Sequence, residues 1–145
     1  MLFRSTGVSW VAVRGSGVQR DNRTVKVAPW GEASGPFTGA VLTRFLSAEH
    51  NNLITEAGPK LGTILPGRVC AGVEYPLVVE GAQDFALFRR TLPWDHAAGS
   101  LILREAGGEV RRWDGSNYEP GIAGEGILAA TNPAIWEKVA KALLP

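Results

Sequence analysis

Residues 93–110 read "PWDHAAGSLILREAGGEV", and this stretch decides the fold. Ala97, Ala98, Leu101, Ile102 and Ala106 recur at helical spacing, and Gly107 offers a left-handed stop. Asp95 stands immediately ahead of that apolar run. Upstream, "QDFALF" (83–88) has the short apolar character of a strand; downstream, "GEVRRWDGSNYEP" (108–120) reads as a hairpin turning at Asp114-Gly115. A strand that feeds a helix and then a hairpin predicts a layered arrangement of sheet and helices.

The same grammar extends in both directions. Toward the C-terminus, Ile127–Ala130 is a buried-strand candidate, and Asn132 with Pro133 supplies a helix cap and first position. The last helix then carries Trp136, Val139, Ala140 and Leu143 on one face. Toward the N-terminus, Val69, Val73 and Leu77 form a helical stripe stopped by Gly81, with Pro76 arguing for a kink or against the helix. Ile64-Leu65 precedes a turn at Pro66-Gly67. Ser47 caps a helix with His50, Leu53, Ile54 and Ala57 on one face, ended by Gly58-Pro59. Gly39–Phe45 reads as a buried strand, and "PWGEASGPF" (29–37) as a loop or linker. Before it come strand-like Val8–Val13, a Gly15-Ser16-Gly17 turn and alternating Thr24–Val27. The expected fold class is α/β, with antiparallel strands in residues 1–36 and a sheet-and-helix domain over 37–145.

Composition narrows the function. With 145 residues, 45% of them hydrophobic and 20% charged, the chain can bury a real core. Fifteen Lys+Arg against fourteen Asp+Glu leave a net charge of +1, which gives no footing for a nucleic-acid polymer as partner. The pairs Arg89-Arg90 and Arg111-Arg112 are too short to change that. A single cysteine, Cys70, excludes an internal disulfide and a cysteine-rich metal site, and fits a reducing cytoplasm. No apolar run is long enough to span a membrane, and the first ten residues lack the apolar core of a signal peptide.

Asp95 is the residue with chemistry to offer. As a helix N-cap its carboxylate would accept an otherwise unpaired backbone N–H. The helix dipole would also keep it ionised, ready to serve as a hard oxygen ligand for Mg2+. Small residues after it would let an anion approach the first N–H groups of the helix. Both roles stay open. Glu74 and Glu80 read as solvated helix positions, and Gly15-Ser16-Gly17 is too short for a phosphate-binding loop. Cys70, with only Arg68 as a cationic sequence neighbour, has little to activate a thiol.

"PWDHAAGSLILREAGGEV" resembles the C-terminal motif of the inositol monophosphatase family, the Mg2+-dependent, Li+-sensitive phosphomonoesterases. "VEGAQDFALFRRTLPWD" and "ILAATNPAIWEKVAKALL" are similar to the strand entering that motif and to the family's closing strand and helix. "VAVRGSGVQRDNRTVKV" resembles the segment where the family's first sheet ends. The resemblance implies that Asp95 binds a catalytic metal beside the substrate, with Trp94 packed beneath it. It places Cys70, Ala71 and Gly72 at a turn whose backbone touches the substrate, although simple close packing at a helix start explains that turn equally. Phe88 falls near a position where inositol-preferring members carry a glutamate, which puts inositol itself in doubt. His96 is expected to be a surface or supporting residue and not a base.

What the resemblance lacks is as informative. The family's metals are held by a glutamate and an Asp-Pro-Ile/Leu-Asp-Gly-Thr motif, which does not occur here; only Asp21 and Glu32 precede residue 49. The resemblance therefore covers the C-terminal portion of such an enzyme, beginning partway through its first domain, with no complete catalytic set. The expected partner is a small phosphorylated metabolite, in the inositol phosphate, sugar phosphate, histidinol phosphate or nucleotide bisphosphate class. The alternative is a non-catalytic binding or assembly module derived from the fold. For such a module a homodimer would cover an exposed sheet edge.

Overall fold

The computed structural model describes residues 2–3, 7–27, 36–68 and 70–145. Most of the expected linker (residues 29–35) and Val69 lie outside the described residues.

The first sheet is antiparallel and four-stranded, in the order β1 (Leu2–Phe3), β2 (Val8–Val13), β3 (Gly17–Arg20), β4 (Arg23–Val25). Asp21 and Asn22 join β3 to β4 with positive φ values of 48° and 64°, the conformation of a primed two-residue hairpin. Asp21 is held there by accepting the Ser9 N–H at 2.7 Å. β4 is shorter than the expected Thr24–Val27, because the Val27 N–H leaves the sheet and donates to the Ala106 carbonyl at 2.9 Å.

The second sheet is mixed and five-stranded. It comprises β5 (Phe37–Val41), β6 (Gly62–Pro66), β7 (Phe85–Phe88), β8 (Glu109–Arg111) and β9 (Ile127–Ala130), in the order β6-β5-β7-β9-β8. β6, β5 and β7 are parallel; β9 runs antiparallel to both its neighbours. The connections are α1 (Ala48–Leu61), α2 (Ala71–Val79) and α3 (Pro93–Glu105), with α4 (Pro133–Leu143) closing the chain.

The central strands show why both faces must be covered. Every residue of β7 and β9 is buried, as expected for strands packed on two sides. Phe85, Leu87, Leu128 and Ala130 join one core with Ile54 of α1 and Ile135, Val139 and Leu143 of α4. Their alternates, Ala86, Phe88, Ile127 and Ala129, join a second core with α2, α3, Trp10 and Val18. The antiparallel sheet thus lies over the outer side of α2 and α3, sharing their core.

Several expectations are corrected. The strand expected over Gly39–Phe45 stops at Val41, and Thr43–Phe45 form an exposed 3-10 turn, since Thr43 and Arg44 could not be buried in a sheet. Gly58-Pro59 does not end α1, which runs to Leu61; the stop is Gly62, at φ 145°, where a Cβ would strike the Phe37 backbone. In α2 the buried residues include Tyr75, Val78 and Val79, with Val73 and Leu77 only half-buried, and Pro76 sits inside the helix. β8 pairs with β9; its expected hairpin partner contributes one bridge, Arg111 to Asn117. α4 matches its reading, with the Asn132 side chain accepting the Ile135 N–H at 3.0 Å. Among the described residues, no helix is long and apolar enough to cross a membrane.

Candidate functional site

The parallel strands deliver two helix starts to one end of the sheet, and a pocket of about 450 Å3 opens there. Its lining includes Cys70, Ala71 and Gly72 at the start of α2, and Trp94, Asp95 and His96 at the start of α3. The crevice beyond the carboxyl ends of parallel strands is where α/β sheets bind ligands, because helix N-termini converge on it.

Asp95 does not cap α3. Leu92 holds the cap position and Pro93 the first turn, so the Asp95 N–H is already bonded to the Leu92 carbonyl at 3.0 Å. Pro93 starts the helix three residues earlier than a cap at Asp95 would have done. The carboxylate is left exposed in the first turn, where the helix dipole favours its charge. Among the described residues it is the only carboxylate lining the pocket.

Trp94, expected to pack beneath Asp95, is 78% exposed. The buried face of α3 is His96, Gly99, Ser100, Ile102 and Leu103, and Trp94 falls off that face. His96, expected as a surface or supporting residue, is not at the surface. It is buried, with Nδ1 at 3.1 Å from the Tyr75 hydroxyl, and its ring also bonds the Arg90 backbone. Its ring stands edge-on to Phe88 at 4.8 Å. Burial pushes its pKa down to about 4, against the opposing pull of Asp95 and the Arg90 backbone, so the imidazole is neutral near pH 7. Tyr75 is buried with it, and desolvation raises that hydroxyl well above its ordinary value.

Phe88 forms part of the pocket wall while its ring stacks on Tyr75 at 5.4 Å. Its side chain is an apolar backing and offers no hydrogen bond to a ligand. Cys70 is exposed at the N-cap of α2 and makes no side-chain cap. Glu74, read from sequence as solvated, is buried: it accepts the Arg68 N–H at 2.5 Å and the Gln83 amide at 2.9 Å. That carboxylate ties down the approach to α2. Glu80 is exposed and pairs with Arg20.

Sequence reasoning missed the rim, formed by Leu42, Phe45 and Arg90. Arg44 inside a supposedly buried strand was the available signal that the strand ended early. The Gly15-Ser16-Gly17 turn is filled from within the protein: Glu105 accepts the N–H groups of Gly15 and Gly17.

The residues present do not make a metal centre. Among the described residues, no group of three or more His, Cys, Asp or Glu side chains is placed to hold an ion. Asp95 fits Mg2+ as a single oxygen donor, and a bound ion would need further donors from outside this pocket wall.

Comparison with known proteins agrees with this architecture. Staphylococcal IMPase-II superposes with a TM-score of 0.81 at 20% identity, covering 97% of this chain and 55% of that one. The extragenic suppressor protein suhB from Bartonella henselae gives 0.79 at 24% identity, covering 95% and 53%. A 55-residue stretch is 38% identical to an uncharacterized protein in the pss 5' region of Rhizobium leguminosarum bv. phaseoli, covering 37% of this chain and 58% of that protein. The chain spans about half the length of these solved structures. The model of the inositol monophosphatase family matches residues 5–144, and the chain belongs to that family.

Proposed function

We propose that this chain forms the substrate-side wall of a Mg2+-dependent phosphomonoesterase. Asp95 gives one ligand to the metal, and the backbone of Cys70, Ala71 and Gly72 receives the phosphate or an adjoining hydroxyl. The observation that supports this reading is the exposed carboxylate of Asp95 in one pocket with the start of a second helix. A relative of the same fold has been crystallised with inositol monophosphate bound. The remaining carboxylates of the metal site come from outside these 145 residues, with residues 1–36 belonging to the metal-site domain and 37–145 forming the substrate domain. The protein works in the cytoplasm on a small phosphorylated metabolite, and Li+ inhibits the assembled enzyme.

The test is an NMR titration of the 145-residue chain with MgCl2 and inorganic phosphate. Amide shifts at Ala71, Gly72 and Asp95 that need both ions, and that disappear in Asp95→Asn, are the expected result. Shifts that ignore Mg2+, or that survive Asp95→Asn, overturn the assignment. The chain alone is expected to show negligible phosphatase turnover; robust Mg2+-dependent, Li+-sensitive hydrolysis by it would refute the external supply of ligands.

A second reading, a non-catalytic assembly module that pairs with another copy, is favoured by β2. Among the described residues, β1 covers only Val8 and Ser9 of that strand, and Val11 and Val13 are 55% and 58% exposed. A concentration-dependent dimer in sedimentation, lost in Val11→Lys/Val13→Lys, supports that reading.

A further inference from the structure

The segment from Arg89 to Leu92 carries the chain from β7 into α3, and Arg89 and Arg90 line the pocket on the way to Asp95. It belongs to no strand or helix, so its position depends on bonds from elsewhere. One tie is from the His96 ring to the Arg90 backbone. The others come from the loop over residues 119–126. There the Gly126 N–H donates to the Arg89 carbonyl at 3.2 Å, and the Thr91 hydroxyl donates to the Gly124 carbonyl at 3.2 Å. Glu125 pairs with the Arg89 guanidinium.

That loop has no regular structure and carries Gly121, Gly124 and Gly126, which makes it costly to order. Its inner face is built around Arg112. This side chain is 3% exposed; its Nη2 donates to the Ile122 carbonyl and, at 3.5 Å, approaches that of Glu119. The guanidinium also lies against the Tyr118 ring, 5.3 Å from its centroid. The loop closes on it so tightly that a Cβ at Gly124 would press on Nη1. Among the described residues no carboxylate pairs with Arg112, so the buried charge faces backbone carbonyls. A lysine could not reach both carbonyls from one planar head while resting on the ring.

We propose that Arg112 is a positioning residue for the pocket. It fixes the 119–126 loop from within, and the loop fixes Arg89–Leu92 and with it the place of Asp95. Arg112 touches no ligand; its effect passes through the loop's outer ties to Arg89 and Thr91. The inference rests on the phosphatase reading only for what Asp95 binds.

The experiment uses the 145-residue chain, with amide exchange at Gly126 as the direct report on the tie to Arg89. Arg112→Lys is expected to speed that exchange about fivefold, the effect of one ordinary hydrogen bond, and to leave Ala129 in β9 unchanged. The same variant is expected to weaken the Mg2+-dependent phosphate response at Asp95 by a similar factor. Thr91→Val cuts an outer tie without touching Arg112 and is expected to reproduce both changes. The double variant separates positioning from a general loss of stability. Two residues acting along one route weaken binding no further together than Arg112→Lys does alone, whereas independent losses multiply. Multiplied losses, or Gly126 exchange unchanged by Arg112→Lys, overturn the inference. Gly124→Ala, which presses on Nη1 and keeps the arginine, perturbs the same contact if Arg112→Lys folds poorly, and an unchanged Gly126 amide there overturns the inference equally. The two readings fail separately. A parent chain with no Mg2+-dependent phosphate response sinks the phosphatase reading alone. The positioning role then stands if Arg112→Lys moves the unliganded Arg90 and Asp95 amide shifts, and falls if it does not.

Discussion

Glu105, the last residue of α3, reaches across to the antiparallel sheet and accepts the Gly17 N–H at 2.9 Å, while its other oxygen accepts Gly15 at the same distance. The two N–H groups converge because both glycines take positive φ, 74° and 80°. The turn's convergent N–H groups are taken up by a side chain 88 residues later in sequence. These bonds hold the Glu105 carboxyl below its ordinary pKa. The stabilisation is complete above the unfolded-state value and fades as pH falls through the depressed native one. Glu105→Gln is expected to lower Tm at pH 7 by a few degrees and to speed amide exchange at Gly15 and Gly17. Unchanged exchange at those two amides would count against the clasp.

His96 sets a second, separate pH dependence. Its pKa falls to about 4 in the folded chain, chiefly through burial. The unfolded chain therefore binds the extra proton first, and stability is lost as pH drops from about 6.5 toward 4. A shift of this size corresponds to about 3 kcal/mol. Tm measured in chelator-containing buffer should fall across that window, and His96→Asn should start lower at pH 7 yet lose less on acidification. A His96→Asn acid limb as steep as that of the parent chain would disprove the assignment.

Asp95 is exposed and caps nothing, so Asp95→Asn is expected to leave Tm within about 0.5 kcal/mol equivalent of the parent. The same variant should lose the Mg2+-dependent phosphate response. Thermal melts and the titration together separate a ligand role from a structural one; a large fall in Tm would restore the capping role.

Gly99 tests the contact between α2 and α3. A Cβ there would strike the Tyr75 ring, inside a core where the Tyr75 hydroxyl also bonds His96. Gly99→Ala is expected to cost about 1–3 kcal/mol in urea unfolding, the range for overpacking a closed core. Gly115→Ala, at a surface turn with no atom within 4 Å, is limited to the strain of its positive φ and should cost less. Equal costs would mean that the helices part easily.

Much of this protein was legible from local pattern. The two buried strands β7 and β9, the α4 cap at Asn132 and the turn glycines follow from apolar runs, Asn-Pro spacing and missing side chains, which act over a few residues. The α/β class and the family resemblance came from the same short-range information in residues 93–110. Only the tertiary structure decided the rest. Whether Trp94 or His96 faces inward depends on where α2 and Tyr75 lie, and Pro93 moved the helix start so that Asp95 was freed from capping. Glu74 is buried because the Arg68 backbone before α2 and Gln83 after it both donate to its carboxylate. The rim exists because β5 ends early and brings Phe45 beside Arg90. Burial and partnership are properties of neighbours brought together by folding, and spacing along one segment does not contain them.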